Sequence, residues 1–176
     1  MARHRLGVVL LVPEPWSTEI DGLRRALGDG ALTRIPTHLT LVPPINVRED
    51  DLPAAFDVVH AAAGACPVLE LALGPVATFA PVNPVAYLTV SGAPTAMSHL
   101  VGLKDALLAG PLERPEDHPF VPHVTVASDL PEDRLVAAEL ALSELHIDVA
   151  FERVVVLAEQ DGHVWTPVGD AALGGR

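Results

Sequence analysis

Thr37-His38-Leu39-Thr40-Leu41-Val42-Pro43-Pro44 and Phe120-Val121-Pro122-His123-Val124-Thr125-Val126-Ala127 repeat one short pattern in the two halves of this 176-residue chain. Each copy reads His, apolar, Thr, apolar. Side chains alternate across a strand, so His38 and Thr40 share one face while Leu39 and Leu41 take the other. The same holds for His123 and Thr125 against Val124 and Val126. The apolar members belong in a core and the polar members face a groove. One such tetrapeptide is unremarkable in a chain with eight histidines. Two copies, each on an expected strand in a matching half, are a signal.

Outward from the motifs, the chain reads as alternating strands and helices. Residues 6–12 form an apolar run ended by Pro13, which suits an interior strand. Ser17 or Thr18 caps a helix to about residue 27, with Ile20, Leu23, Ala26 and Leu27 on one face and Gly28 and Gly30 as its stop. Residues 38–42 are a second strand, closed by Pro43 and Pro44. Asp50 or Asp51 opens a helix to about residue 65, with Pro53 in its first turn. Residues 68–73 and 86–90 are strands joined by a Pro- and Gly-rich loop. Pro94 or Thr95 starts a helix to about residue 108, with Met97, Leu100, Val101 and Leu108 as core positions. A polar loop over 110–119, the expected mobile element, leads to a strand at 123–127. A helix follows over 131–145, its first turn acidic. Strands at 147–157 and 163–167 end the chain as a hairpin through Asp161 and Gly162. Both halves contain a strand–helix unit around the same motif, so a weak internal duplication is the simplest description. The fold class is α+β, with two sheets and outer helices.

Composition narrows the functions open to such a fold. Nearly half the residues are apolar (49%) and 19% are charged, enough to bury a sizeable core and unlike a disordered chain. The formal net charge is −12, from 23 acidic and 11 basic residues, and the basic residues are scattered. A long polynucleotide needs a basic stripe, and a stacking groove needs aromatics, which make up only 4% here. Tracking along nucleic acid is therefore not expected, whereas a local pocket for one or two phosphates is. Cys66 is the only cysteine, which excludes an intramolecular disulfide and suits a reducing cytoplasm. The first apolar run is too short for a signal sequence and lacks a cleavage site, and no run approaches the ~20 apolar residues of a membrane span.

Two imidazoles facing one phosphorus can act as an acid–base pair, because an unperturbed histidine titrates near neutrality. The Thr two residues along lies on the same face and can donate to the non-bridging phosphate oxygens.

The two copies, and their place in this strand–helix order, resemble the 2H phosphoesterase superfamily in its 2′-5′ RNA ligase-like branch, from the strand at Leu6 to the terminal hairpin. The resemblance implies one bilobal domain over residues 1–176: two pseudo-symmetric lobes, each an antiparallel sheet with outer helices, the motif strands facing a central groove. It implies hydrolysis of 2′,3′-cyclic phosphates on nucleotides or short RNA ends to 2′-phosphates, or reversible RNA joining, with neither metal nor ATP. Carried over residue by residue, it makes His38 the proton donor to the O3′ leaving group and His123 the base that activates water. Thr40 and Thr125 become the phosphate binders.

Arg34 and Arg114, four and nine residues before the motif histidines, are possible substrate contacts, as are Phe79 and Phe120 through stacking on a base. His118 with Asp117 is the one local hint of a metal site, but no recognised ligand spacing accompanies it, and no metal or other cofactor is expected. Cys66 reads as an inert thiol. There is no GxSxG, Walker A or dinucleotide motif to support acyl transfer, ATP use or hydride transfer. The expected protein is a cytoplasmic monomer acting on a cyclic-phosphate nucleotide or short RNA end, with no membrane partner. Two alternatives stay open: a small-metabolite cyclic phosphodiesterase unrelated to RNA, and a non-catalytic module that binds a phosphate ligand.

Overall fold

The computed structural model describes residues 2–116 and 118–174. Eight strands form one sheet: β1 (Arg3–Leu11), β2 (His38–Arg48), β3 (Leu69–Thr78), β4 (Val85–Ser91), β5 (His123–Ser128), β6 (Ile147–Phe151), β7 (Arg153–Gln160) and β8 (Val164–Ala172). Four α-helices intervene: α1 (Trp16–Leu27), α2 (Leu52–Ala65), α3 (Pro94–Leu107) and α4 (Glu132–Ala141). The strand order is β6-β3-β4-β5-β2-β1-β7-β8, and the ladders are antiparallel.

That order is two matching halves placed edge to edge. The units β1–α1–β2 and β4–α3–β5 occupy equivalent places about the β2/β5 seam, which is closed by a single ladder pair, Leu39 with Val124. The two expected sheets are thus continuous at one point, where the two motifs meet. β6 and β7 lie near opposite ends of the strand order, yet only Glu152 separates them in the chain. Neighbouring Cα atoms are about 3.8 Å apart, so the sheet must curl until those ends nearly touch.

The curl gives the sheet two unlike faces. Leu6, Val8 and Leu10 of β1, with Leu39 and Leu41 of β2 and Val124 and Val126 of β5, join the large core. Each helix contributes to that core: Ile20 of α1, Val59 of α2, Leu100 of α3, and Leu135 of α4. The opposite face carries a small cluster, Val9, Val155 and Leu157, flanked by Leu11, Ile35 and Trp165 and by no helical residue. Alternation along β2 and β5 puts His38, Thr40, His123 and Thr125 on the face opposite the large core.

Several boundaries differ from the sequence reading, each for a local reason. β2 does not stop at Pro43 and Pro44. Leu6 pairs with Ile45 and Val8 with Val42, so the two prolines oppose Gly7 alone in a bulge, where missing N–H groups are not needed. Neither Ser17 nor Thr18 caps α1; the helix begins at Trp16, and the Glu14 carboxylate accepts from the Thr18 N–H and hydroxyl instead. A short 3₁₀ turn (Glu49–Asp51) precedes α2, and no side-chain cap forms there. Val101 is not a core residue but 42% exposed, because α3 buries the stripe Leu100, Leu103, Lys104 and Leu107. The 110–119 loop holds a 3₁₀ turn (Gly110–Leu112) pinned by buried Leu112. The helix expected to residue 145 stops at Ala141. The single strand expected over 147–157 breaks at Glu152 into β6 and β7. Among the described residues, no helix is long and apolar enough to cross a membrane.

Candidate active site

The site is built on the seam. The antiparallel register that pairs Leu39 with Val124, continued one residue each way, sets His38 across from Thr125 and Thr40 across from His123. The four polar side chains form a quadrilateral, with the histidines on one diagonal and the threonines on the other. Leu39 and Val124 are fully buried behind it, so the pair that closes the sheet also fixes the quadrilateral from below.

Both histidines are held the same way. His38 Nδ1 lies 2.7 Å from the Pro36 carbonyl, and His123 Nδ1 lies 2.7 Å from the Val121 carbonyl. A carbonyl only accepts, so each Nδ1 carries the proton and donates. This tautomer leaves Nε2 of the neutral ring with a bare lone pair, available to exchange a proton. The acceptor is two residues upstream in both cases, a detail of backbone geometry that repeats with the motif.

Their surroundings differ. Burial holds the His38 pKa below its ordinary value, with further lowering by the Arg24 guanidinium and by His123 and an opposing lift from its bond to Pro36. Arg24 is a buried residue of α1. Its Nε donates to Asp29 at 2.8 Å, and its guanidinium also donates to Asp21, to Thr37 Oγ1 and to the Ile35 carbonyl. Thr37 Oγ1 in turn donates to Asp21 at 2.6 Å. The segment 35–37 leading into His38 is thereby anchored to α1. His123 instead meets rings edge-on. Phe79 stacks on Tyr87 at 4.1 Å, and His123 stands nearly perpendicular to Phe79 at 5.1 Å and 5.4 Å from Tyr87.

A groove of about 630 Å³ opens beside the quadrilateral, within the usual range of small-molecule sites. Thr40, His123, Phe79, Phe120 and Arg114 all line it. Arg114 crosses to β2, donating to the Pro44 carbonyl at 3.3 Å. Arg34 does not line the groove; it is exposed in the turn before β2, and its carbonyl accepts from the Trp165 N–H. His118 lines the groove, while Asp117 lies outside the described residues. Among the described residues no group of three or more His, Cys, Asp or Glu gathers as a metal centre. Cys66 is buried at the end of α2, and burial pushes its thiol pKa up.

Tyr87, Arg24, Lys104 and Glu116 were not singled out from sequence. Tyr87 pairs with Thr125 across β4 and β5, a neighbour relation that needs the strand register. Lys104 had a sequence signal: it is the only lysine in the chain and falls in the apolar phase of α3.

Comparison with known proteins gives one pattern throughout. A Bacillus cereus (strain G9842) protein that bears a provisional phosphoesterase name is 27% identical over 164 residues, 92% of each chain. A Bacillus mycoides (strain KBAB4) protein with the same kind of name matches equally well over the same share. Among solved structures, Escherichia coli LigT in its apo form superposes with a TM-score of 0.65 at 18% identity, covering 98% of this chain and 99% of that one. LigT complexed with 3′-AMP superposes at 0.64 and 17% identity, and the Thermus thermophilus protein TT0787 at 0.64 and 20%, with the same coverage. The model of the 2′-5′ RNA ligase superfamily matches residues 12–163, and the chain belongs to that family.

Proposed function

We propose that this protein is a phosphoesterase that opens 2′,3′-cyclic phosphates on nucleotides or short RNA ends to 2′-phosphates, using His38 and His123 as a proton-transfer pair. Family membership supports phosphoester chemistry in general. The observation that carries the finer reading is the pair of matched Nδ1–carbonyl bonds at 2.7 Å, which leave two free Nε2 atoms on diagonal corners of one quadrilateral. A module that only bound phosphate would need donors, not two rings each held in a proton-accepting tautomer.

In the reaction, water oxygen attacks phosphorus and the P–O3′ bond breaks. One imidazole takes the water proton while the other, as imidazolium, gives a proton to O3′. Thr40 and Thr125 donate to the non-bridging oxygens, where charge gathers in the transition state. The 3′-AMP complex of LigT supports a nucleotide-sized ligand on this fold. The acidic chain and the small groove favour short substrates over long RNA. The test is turnover of 2′,3′-cyclic AMP with chromatography of the product. His38→Ala and His123→Ala should each lower kcat by about 10²–10⁴, and the double variant by much less than the product of the two. Either single variant keeping half the activity would end the proposal.

One observation favours a particular division of labour. The resemblance makes His38 the donor, but burial, with smaller contributions from Arg24 and His123, disfavours the protonated ring of His38. A neutral ring accepts a proton, so His38 is read as the base and His123 as the acid. A phosphodiester with a p-nitrophenyl leaving group needs little protonation and separates the two schemes. Under this reading His123→Ala regains activity on it and His38→Ala does not.

A further inference from the structure

The only lysine of the chain is buried against the groove. Lys104 projects from α3 at 5% exposure, pairs with Asp105 at 3.0 Å and more closely with Glu116, and sits 5.5 Å from the centre of the Phe120 ring. Burial would lower its pKa, but the bonds to Glu116 and Asp105 outweigh that and hold it above the ordinary lysine range. The ammonium is therefore charged, enclosed and already satisfied. Glu116 is the opposite case. Its side chain is 45% exposed, it lines the groove with Thr40 and His123, and Lys104 engages only its Oε1. A carboxylate has about four acceptor positions, so Oε2 and part of Oε1 remain open. The Arg114 bond to the Pro44 carbonyl ties the same loop across to β2.

We propose that Glu116, held in place by Lys104, is a base-reading residue that selects guanine in the groove. The inference rests on the nucleotide reading above and names its preferred substrate, a guanosine 2′,3′-cyclic phosphate. The chemistry follows from the edges of the bases. Guanine presents N1–H and an N2 amino group side by side, which a carboxylate accepts in parallel. Adenine and cytosine present one amino group beside a ring nitrogen whose lone pair repels the carboxylate. Uracil has one N–H between two carbonyls. A second phosphate is disfavoured at this end, because Lys104 is already neutralised by two carboxylates and an anion would meet Glu116 first.

Lys104 is then a positioning residue. It touches no base, but it fixes the carboxylate that does, in the way outer partners orient a site residue.

The experiment measures kcat/KM for the 2′,3′-cyclic phosphates of guanosine, adenosine, cytidine, uridine and inosine. Guanosine should exceed uridine by roughly 5- to 150-fold, the range a good bidentate pair gives. Inosine, which keeps N1–H and lacks the amino group, should fall between them. Glu116→Gln, a half-exposed site where folding is safe, should bring the guanosine-to-uridine ratio toward one. Lys104→Met should do the same through KM for guanosine rather than through kcat, and Lys104→Arg should restore it. Binding of guanosine and uridine cyclic phosphates to the His38→Ala/His123→Ala variant, by calorimetry, separates the two layers. Equal turnover of all five, or a preference that survives Glu116→Gln, overturns the Glu116 inference and leaves the histidine reading standing. Selective guanosine binding without turnover by the native protein supports Glu116 and overturns the histidine chemistry. Neither turnover nor selective binding overturns both.

Discussion

Replacing Arg24 with Met tests how the site is supported from below. The guanidinium is enclosed, with a side chain 3% exposed, and its firmest partner is the equally enclosed carboxylate of Asp29 at 2.8 Å. Asp21, the second carboxylate, is 38% exposed and keeps its water, so its share is small. Removing one partner of a buried pair strands the other, at a cost of about 3–5 kcal/mol. For a chain of this size each kcal/mol lowers Tm by about 2–4 °C, which gives a drop of roughly 6–20 °C. Asp29→Asn added to Arg24→Met should recover part of the loss, because the stranded charge is gone.

The same substitution has a second consequence, at the histidine. Arg24 bonds Thr37 and the Ile35 carbonyl, on either side of the Pro36 carbonyl that holds His38 Nδ1. Its charge also lowers the His38 pKa, behind burial as the larger cause. Arg24→Met should therefore raise that pKa and move the acid limb of kcat/KM to higher pH, with kcat reduced by up to about 10²-fold through misplacement of the ring. Differential scanning calorimetry and a pH–rate profile measure the two effects. A Tm within about 2 °C of the native value, with an unmoved acid limb, would refute both the burial argument and the link from α1 to His38.

Other outcomes follow from the seam and from His38 itself. Leu39→Ala removes a fully buried side chain from the single pair joining the halves and should cost about 2–5 kcal/mol, read by urea denaturation; a loss under about 1 kcal/mol would show that the seam tolerates collapse. Because the folded pKa of His38 is depressed, the unfolded chain binds its proton first on acidification. That part of the stability is intact above the unfolded pKa of ~6.5, falls as pH drops below it, and levels off below the lowered folded value. Melting curves of the native protein and His38→Gln across roughly pH 7.5 to 4.5 should diverge in that window, and parallel curves would contradict the lowered pKa.

The parts of the fold legible in the sequence are those set by local pattern. The His-x-Thr alternation set the faces of β2 and β5, and Gly28, in a left-handed conformation at the end of α1, marked that helix stop. What escaped depends on partners distant in the chain. Pro43 and Pro44 look like a strand end until Gly7 is placed opposite them. Glu152 looks like the middle of one strand until β6 and β7 are assigned to different halves of the sheet. The site divides the same way. Thr40 and His123 of the motifs line one groove with Phe79, Phe120 and Arg114, whereas Arg34, named like Arg114 for its nearness to a motif, does not. Tyr87 became visible only through its register with Thr125, Arg24 only through the tertiary bonds of α1, and Glu116 only through Lys104.

These residues bear on how, in the proposed reaction, a duplicated motif would do two different things. The repeat supplies two histidines in the same tautomer, each bonded to the carbonyl two residues before it. Symmetry of that kind gives no direction to a proton transfer. Direction has to come from what the repeat does not copy. On one side burial first, and the Arg24 guanidinium after it, disfavour the charged ring of His38. On the other, Phe79 and Tyr87 stand edge-on to the His123 ring, and the buried cation of α3, Lys104, is paired with Glu116 and Asp105. In the proposed reaction, a division of acid and base between the two motifs would rest on residues outside them, Arg24 of α1 among them.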